Sequence, residues 1–205
     1  MNTPPFHACR RGVLIVTALL ILGSVHSARA GLIVFNELPN QVANGLTFNG
    51  VRFGFTIGGV VSTDARFGAS GPGNQTHVQD PSLEGNARGV LSLDFIQPVS
   101  ALSFGVGISS MAALSPGFTV QLFDPSLALL GTFPINAPPA PTFSGASFLY
   151  MGAPVRRASL SFNSTPANPG GRFAFDNLDF SSIPEPGTIG FGLALLGACL
   201  ARRKY

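Results

Sequence analysis

The sequence predicts an all-β protein, with an antiparallel β-sandwich over residues 31–182 set between two terminal segments of different character. Three observations predict it. Apolar residues between Gly31 and Ser182 recur with a period of two rather than 3.6. Glycine- and proline-centred turn signals separate the apolar stretches at short intervals. The 205 residues include 25 Gly, 17 Pro and 18 Phe, only 10% are charged, and Lys occurs once, at Lys204. That mixture disfavours helices and suits short strands. At 45% hydrophobic the chain is also too apolar to be disordered.

The strands follow in order. Leu32-Ile33-Val34-Phe35 is an apolar run of the buried type. Phe48, Val51, Phe53, Phe55 and Ile57 form the next set, with Asn49-Gly50 as a hairpin signal. Leu91, Leu93 and Phe95 alternate with Ser92 and Asp94, and Leu102, Phe104, Val106 and Ile108 alternate with Ser103, Gly105 and Gly107. Pro98 is expected to divide that stretch into two strands. Phe118, Val120 and Leu122 alternate with Thr119 and Gln121, and Leu129-Leu130-Gly131-Thr132 follows the Asp124-Pro125 turn. Phe148 to Phe162 is expected to give two more strands, and Phe173 to Phe180 closes the body. Further turns fall at Gly58-Gly59, Gly71-Pro72-Gly73, Ser115-Pro116-Gly117, Ala137-Pro138-Pro139 and Asn168-Pro169-Gly170-Gly171. The expectation is about eight to ten short strands in two sheets, each with one wet face. Phenylalanine is the natural filling between sheets about 10 Å apart.

Charge excludes one class of partner. The chain has 12 basic and 9 acidic residues, but half of the basic ones lie at the ends: Arg10, Arg11, Arg29, Arg202, Arg203 and Lys204. Residues 31–183 hold six arginines against eight acids, so the body has no basic stripe of the kind nucleic acid requires. Cys9 and Cys199 are both terminal as well. The body therefore has no disulfide and must hold itself by burial, for which about 150 residues suffice.

Residues 1–30 read as a secretory signal peptide. Arg10 and Arg11 form its positive region, residues 12–22 its apolar core, and Ala28 and Ala30 the small residues a signal peptidase reads, leaving Gly31 as the new amino terminus. Residues 183–205 have three parts: Pro184-Glu185-Pro186, an apolar run over 187–201, and Arg202-Arg203-Lys204-Tyr205. As a helix the run would span about 22 Å at 1.5 Å per residue, short of a roughly 30 Å hydrocarbon core. It is expected to insert as a short transmembrane helix, with the basic tail cytoplasmic and the body on the other side.

This tail resembles the PEP-CTERM sorting signal of Gram-negative bacteria, with Pro184, Glu185 and Pro186 followed by a Gly/Leu/Ala-rich stretch and then Arg202, Arg203 and Lys204. The resemblance implies processing by an exosortase near the Pro-Glu-Pro. It also implies transient anchoring in the inner membrane with the body in the periplasm, then release to the cell surface or the medium. Tails of this kind also bear the name ice-binding protein C-terminal domain. Ice binding would need a regular Thr-x-Thr ladder, and the sequence has none. Phe175-Asp176-Asn177-Leu178 resembles the strand that precedes such tails in jelly-roll-like bodies of the same family.

Within the body no catalytic residue is assigned. His77 is its single histidine, in a polar stretch without a hydrolase signature. Carboxylates, paired by folding, could serve a glycoside hydrolase. A structural calcium ion would draw on Asp80, Glu84 and Asn86 in an expected loop over residues 80–86, with Asp176, Asn177 and Asp179 from the last strand. Asp and Asn also gather in turns without any ion. A glycan site would be expected around Tyr150, the sole Tyr of a body without Trp. The sequence thus points to an exported, non-catalytic protein with a structural or adhesive role in extracellular polymer. A glycan-binding module is the alternative, and a hydrolase with a carboxylate pair a second one.

Overall fold

Phenylalanine decides which face of each strand turns inward. The computed structural model describes residues 30–163 and 171–182. The expected signal peptide up to Arg29, the sorting tail from residue 183, and Asn168-Pro169-Gly170 of the last expected turn lie outside the described residues. Twelve strands are described: β1 (Ala30–Ile33), β2 (Gln41–Val42), β3 (Thr47–Phe48), β4 (Val51–Ile57), β5 (Val60–Val61), β6 (Arg66–Ala69), β7 (Ser82–Asn86), β8 (Gly89–Ile108), β9 (Leu114–Phe123), β10 (Leu129–Ala137), β11 (Ser144–Phe162) and β12 (Arg172–Ser182). No helix occurs among the described residues, and every strand pairing is antiparallel.

The strands form one continuous hydrogen-bonded sheet that folds over into two layers. In the first layer, β4 pairs with residues 89–95 of β8, these with residues 157–161 of β11, these with β9, and β9 with β10. In the second, residues 144–151 of β11 pair with residues 101–108 of β8, which pair with β12. Beyond β12 lie β7 and β1, then β6 and β2. The two faces meet through rings: Phe53 of β4 packs on Phe67 of β6 at 6.0 Å, Phe55 on Phe173 of β12 at 5.8 Å, and Phe118 of β9 on Phe104 of β8 at 6.5 Å.

Two expectations about strands are corrected here. Leu91 to Ile108 is one strand, not two, and so is Phe148 to Phe162. β8 and β11 bend together and carry the chain from one layer to the other. Pro98 sits at that bend, where the β8–β11 register shifts between Met151, Val155 and Arg157. A missing N–H there breaks no ladder, so the proline turns the strand without ending it. The loop expected over residues 80–86 is largely β7, because Leu83 is fully buried and the strand is clamped between β6 and β12.

Other sequence signals translate directly. Asn49 and Gly50 have φ of 45° and 83°, and Phe48 pairs with Val51 across them, the geometry of a two-residue hairpin. Pro134 lies inside β10, an edge strand. Of the largest fully buried side chains, Phe35, Phe53, Phe55, Phe67, Phe95, Phe118, Phe173 and Phe175 outnumber all others. Phe175→Ala is expected to cost about 3–5 kcal/mol. Thr132→Ala, on the wet face, should stay within about 0.5 kcal/mol. Urea unfolding of the two variants checks both values.

Candidate functional site

Of the six acids and amides singled out from sequence, Asp80 lies within electrostatic reach of both Glu84 and Asp176, and Asn177 hydrogen-bonds Asp176, while Asn86 and Asp179 do not join them. The meeting point is the segment over residues 70–81, which lies on the outer face of the second layer. Asp80 uses both carboxylate oxygens on backbone, accepting from the amides of Gly71 at 3.3 Å and Gly73 at 3.1 Å. Asp176 accepts from the Gln79 amide at 2.9 Å and the Asn177 amide at 2.7 Å. It sits at a bulge where β12 shifts register and Asn177 takes φ of 55°. Glu84 accepts from the Ser82 hydroxyl at 3.4 Å.

Burial governs these acids. Asp176 is 2% exposed, and desolvation pushes its carboxyl up to about 6 against the two amides that favour the charged form; Glu37 and Asp80 add repulsion. Burial also raises Glu84, opposed by Arg172. At the far end of β7, the Asn86 amide donates to Asp64 and its side-chain oxygen accepts from Arg88. An extended strand rises about 3.3 Å per residue, which carries Asn86 well away from Asp80. Asp179 is exposed on the outer face, paired in register with Ser103 and Leu32. Among the described residues no group of three His, Cys, Asp or Glu side chains is arranged to hold a metal ion.

His77 belongs to the same segment. Its carbonyl rests on Gly105, where a Cβ would collide with it, so the glycines of the Phe104-Gly105-Val106-Gly107 stretch let the segment lie flat on the sheet. A small cleft of about 160 Å³ opens between His77, Phe143 and Pro139. Among the described residues the imidazole has no hydrogen-bond partner. Tyr150 is not an open platform. Its ring packs on Phe133 at 6.1 Å and its hydroxyl donates to the Ala153 carbonyl at 3.1 Å.

A further candidate surface is one that single-strand reading does not assemble. On the outer face of the first layer, register aligns side chains from five strands into rows. Gly54, Ser92, Ser159, Gln121 and Thr132 form the middle row. Thr56, Val90, Ser161, Thr119 and Pro134 flank it on one side. On the other side, Arg52, Asp94, Arg157, Phe123 and Leu129 follow. Gly54 leaves room for the Ser92 hydroxyl, which occupies the space a Cβ would take. Four strand spacings of about 4.8 Å give the face a width of roughly 20 Å. Its Ser and Thr hydroxyls both donate and accept with little side-chain entropy to lose, and Gln121 adds an amide that does both.

At the bent end of this face lies a cleft of about 460 Å³. Its charged walls are Arg52, Arg156, Arg157 and Asp94, and its apolar walls include Ile96 and Leu127. The register shift between Val155 and Arg157 puts two consecutive arginines on the wet side, since Val155 and Ala158 are buried and both arginines are not. Arg157 forks onto Asp94 across the strands, Nε to Oδ1 at 2.5 Å and Nη2 to Oδ2 at 3.1 Å. The turn bearing Leu127 is pinned by Asp124, which accepts from the Ser126 amide, the Ser126 hydroxyl and the Ala128 amide. Those bonds, the Ser126 hydroxyl first, hold the Asp124 carboxyl below its usual range.

No family model matches the chain, and no curated protein matches it. Among solved structures, one described as a carbohydrate-binding module of family 29 is 15% identical with a TM-score of 0.38, covering 78% of this chain and 98% of its own. A variant of such a module, solved to probe ligand recognition, matches at 15% identity and a TM-score of 0.38, covering 75% and 92%. Another variant, complexed with cellulohexaose, matches at 14% identity and a TM-score of 0.36, covering 75% and 92%.

Asp176 makes stability depend on pH in a fixed direction. Its proton is held up to pH of about 6 in the folded chain, against an ordinary value of 3.8. Between those values the folded state binds the extra proton. The group's contribution is therefore fully present below the lower value and is lost as pH rises through the upper one. Melting temperatures of the parent and Asp176→Asn should accordingly diverge as pH rises from 4 to 6.5, the variant gaining on the parent. Parallel curves would contradict this assignment.

Proposed function

We propose that the protein is exported, sorted by its tail, and binds extracellular polysaccharide without cleaving it, through the outer face of the first layer. The observation that supports this is the outer face of the first layer, with two rows made mainly of Ser, Thr and Gln side chains and a third carrying Arg52, Asp94 and Arg157, continuous over five strands and ending in the charged cleft. A hydroxyl-rich polymer matches such a surface group for group, each bond contributing about 0.5–1.5 kcal/mol net and the array adding them. Binding at this face makes the protein adhesive within extracellular polymer. On the same reading the sandwich is the jelly-roll-like body of tail-sorted proteins, and the pairing of non-consecutive strands β8 with β11, β8 with β12 and β4 with β8 supports that.

Export would proceed by signal-peptidase cleavage after Ala30 and exosortase action near Pro184, Glu185 and Pro186, with Arg202, Arg203 and Lys204 kept cytoplasmic. The pairing of Ala30 with Ser181 supports a common membrane-side origin for both ends, since the chain joins and leaves the body at neighbouring positions. Cleavage after Ala30 still leaves Gly31, Leu32 and Ile33 in register with β12.

Two measurements test these proposals. Affinity electrophoresis of the full chain through gels containing the extracellular polysaccharide of its host should show retardation. A Ser159→Ala, Gln121→Ala double variant should weaken it about tenfold, equivalent to 1.4 kcal/mol, at unchanged melting temperature. Unretarded migration of the parent would refute polysaccharide binding. Replacing Glu185 with Gln and Pro186 with Ala should leave the tail uncleaved, read as a surface form of higher mass than the parent's. An identical mass would refute tail sorting.

A further inference from the structure

We infer that the cleft at the bent end of the first layer takes a carboxylate of the polymer, so that the polysaccharide bound is a uronate-bearing one. This rests on the reading of the face as a polysaccharide site and narrows its ligand. The body has six arginines against eight acids, yet three of the six, Arg52, Arg156 and Arg157, line this one cleft with a single acid, Asp94, among its walls. A slightly negative body therefore concentrates positive charge at one end of its polar face.

The three guanidiniums are held differently. Arg157 is committed to Asp94 by its bidentate pair, and that bond raises its already high pKa. Arg156 donates from Nη1 to the Ile96 carbonyl, which fixes its direction. Arg52 lies on the other side of β8, aligned with Asp94. It is exposed, and its side chain has no hydrogen bond or ion pair among the described residues. One carboxylate cannot neutralise three guanidiniums, so the cleft keeps an excess of planar, forked donors suited to a second carboxylate.

The rest of the cleft fits a sugar that bears such a group. Ile96 is 51% exposed and Leu127 50%, giving an apolar wall beside the arginines for the C–H face of a ring. The hydroxyls of Ser92 and Ser159 stand one row away along the strands for neighbouring residues of the polymer. Beyond the arginine row, the other two rows contain no basic residue. Nucleic acid would need phosphate contacts along its length, which this point of charge does not supply.

The test is affinity electrophoresis of the full chain through gels with polygalacturonate, with alginate, and with the carboxyl-reduced form of each. The inference expects at least one uronate polymer to retard the chain about tenfold more strongly than its reduced form, a ratio of 1.4 kcal/mol, with retardation falling as salt is raised. Arg52→Gln and Arg156→Gln should each reduce the uronate preference severalfold at unchanged melting temperature, while the Ser159→Ala, Gln121→Ala double variant weakens acidic and reduced polymers alike. Equal retardation by acidic and reduced forms, still sensitive to Ser159 and Gln121, would overturn the inference and leave the polysaccharide face standing. Retardation by none of the polymers, the host polysaccharide included, would overturn both. Displacement by a DNA oligonucleotide as effective as by the uronate would also overturn it.

Discussion

Ring-on-ring packing between the layers is the interaction on which the rest of this molecule depends. Phe35 touches Phe53, Phe67 and Phe175, and Phe175 passes the contact to Phe104, which meets Phe118 and Phe148. The body has no cysteine to staple it, so burial must supply the cohesion. The same rings fix register. A slip of one residue would turn Phe53, Leu91 or Leu160 to water and bring Ser92 or Ser159 inside, an exchange no strand could survive. The wet rows of Ser, Thr and Gln are thus the reverse side of the pattern that builds the core.

The second constraint is the corner. β8 and β11 pass through both layers, so the layers cannot slide independently. Turning a strand pair sharply requires unequal numbers of residues on the two sides, and the extra ones lie near Pro98 and between Met151 and Arg157. That irregularity lets Arg156 and Arg157 face the same way. The charged cleft is therefore a by-product of closing the sandwich, and the turn at Asp124 supplies its outer wall.

Much of the fold was legible because alternation is a local signal. Leu91, Leu93 and Phe95, or Ala158, Leu160 and Phe162, announce an inward face without knowledge of any partner strand, and all six are buried. Asn49-Gly50 announces its hairpin for the same reason. Continuity of β8 through Pro98 was not legible, because proline ends a flat strand but is tolerated at a bend, and the bend is set by the partner strand. β7 was hidden because its outward positions, Ser82 and Glu84, are polar yet covered by the segment over residues 70–81. The polar face was half visible: Ser92 alternates with apolar neighbours and so reads as outward, but it becomes the neighbour of Ser159 only through strands 60 and more residues apart. Arg52, Asp94 and Arg157 share that problem, since nothing near any of them in sequence names the other two.

The position of the last strand has a mechanical consequence. β12 is not at an edge: β8 runs along one side of it, and β7 then β1 along the other. Tension applied at Ser182, in line with the strand, would load both ladders at once and in shear, so that many hydrogen bonds must break together. A chain held by an edge strand would instead unzip one bond at a time. Traction on the carboxyl side thus enters the sheet where it is hardest to peel.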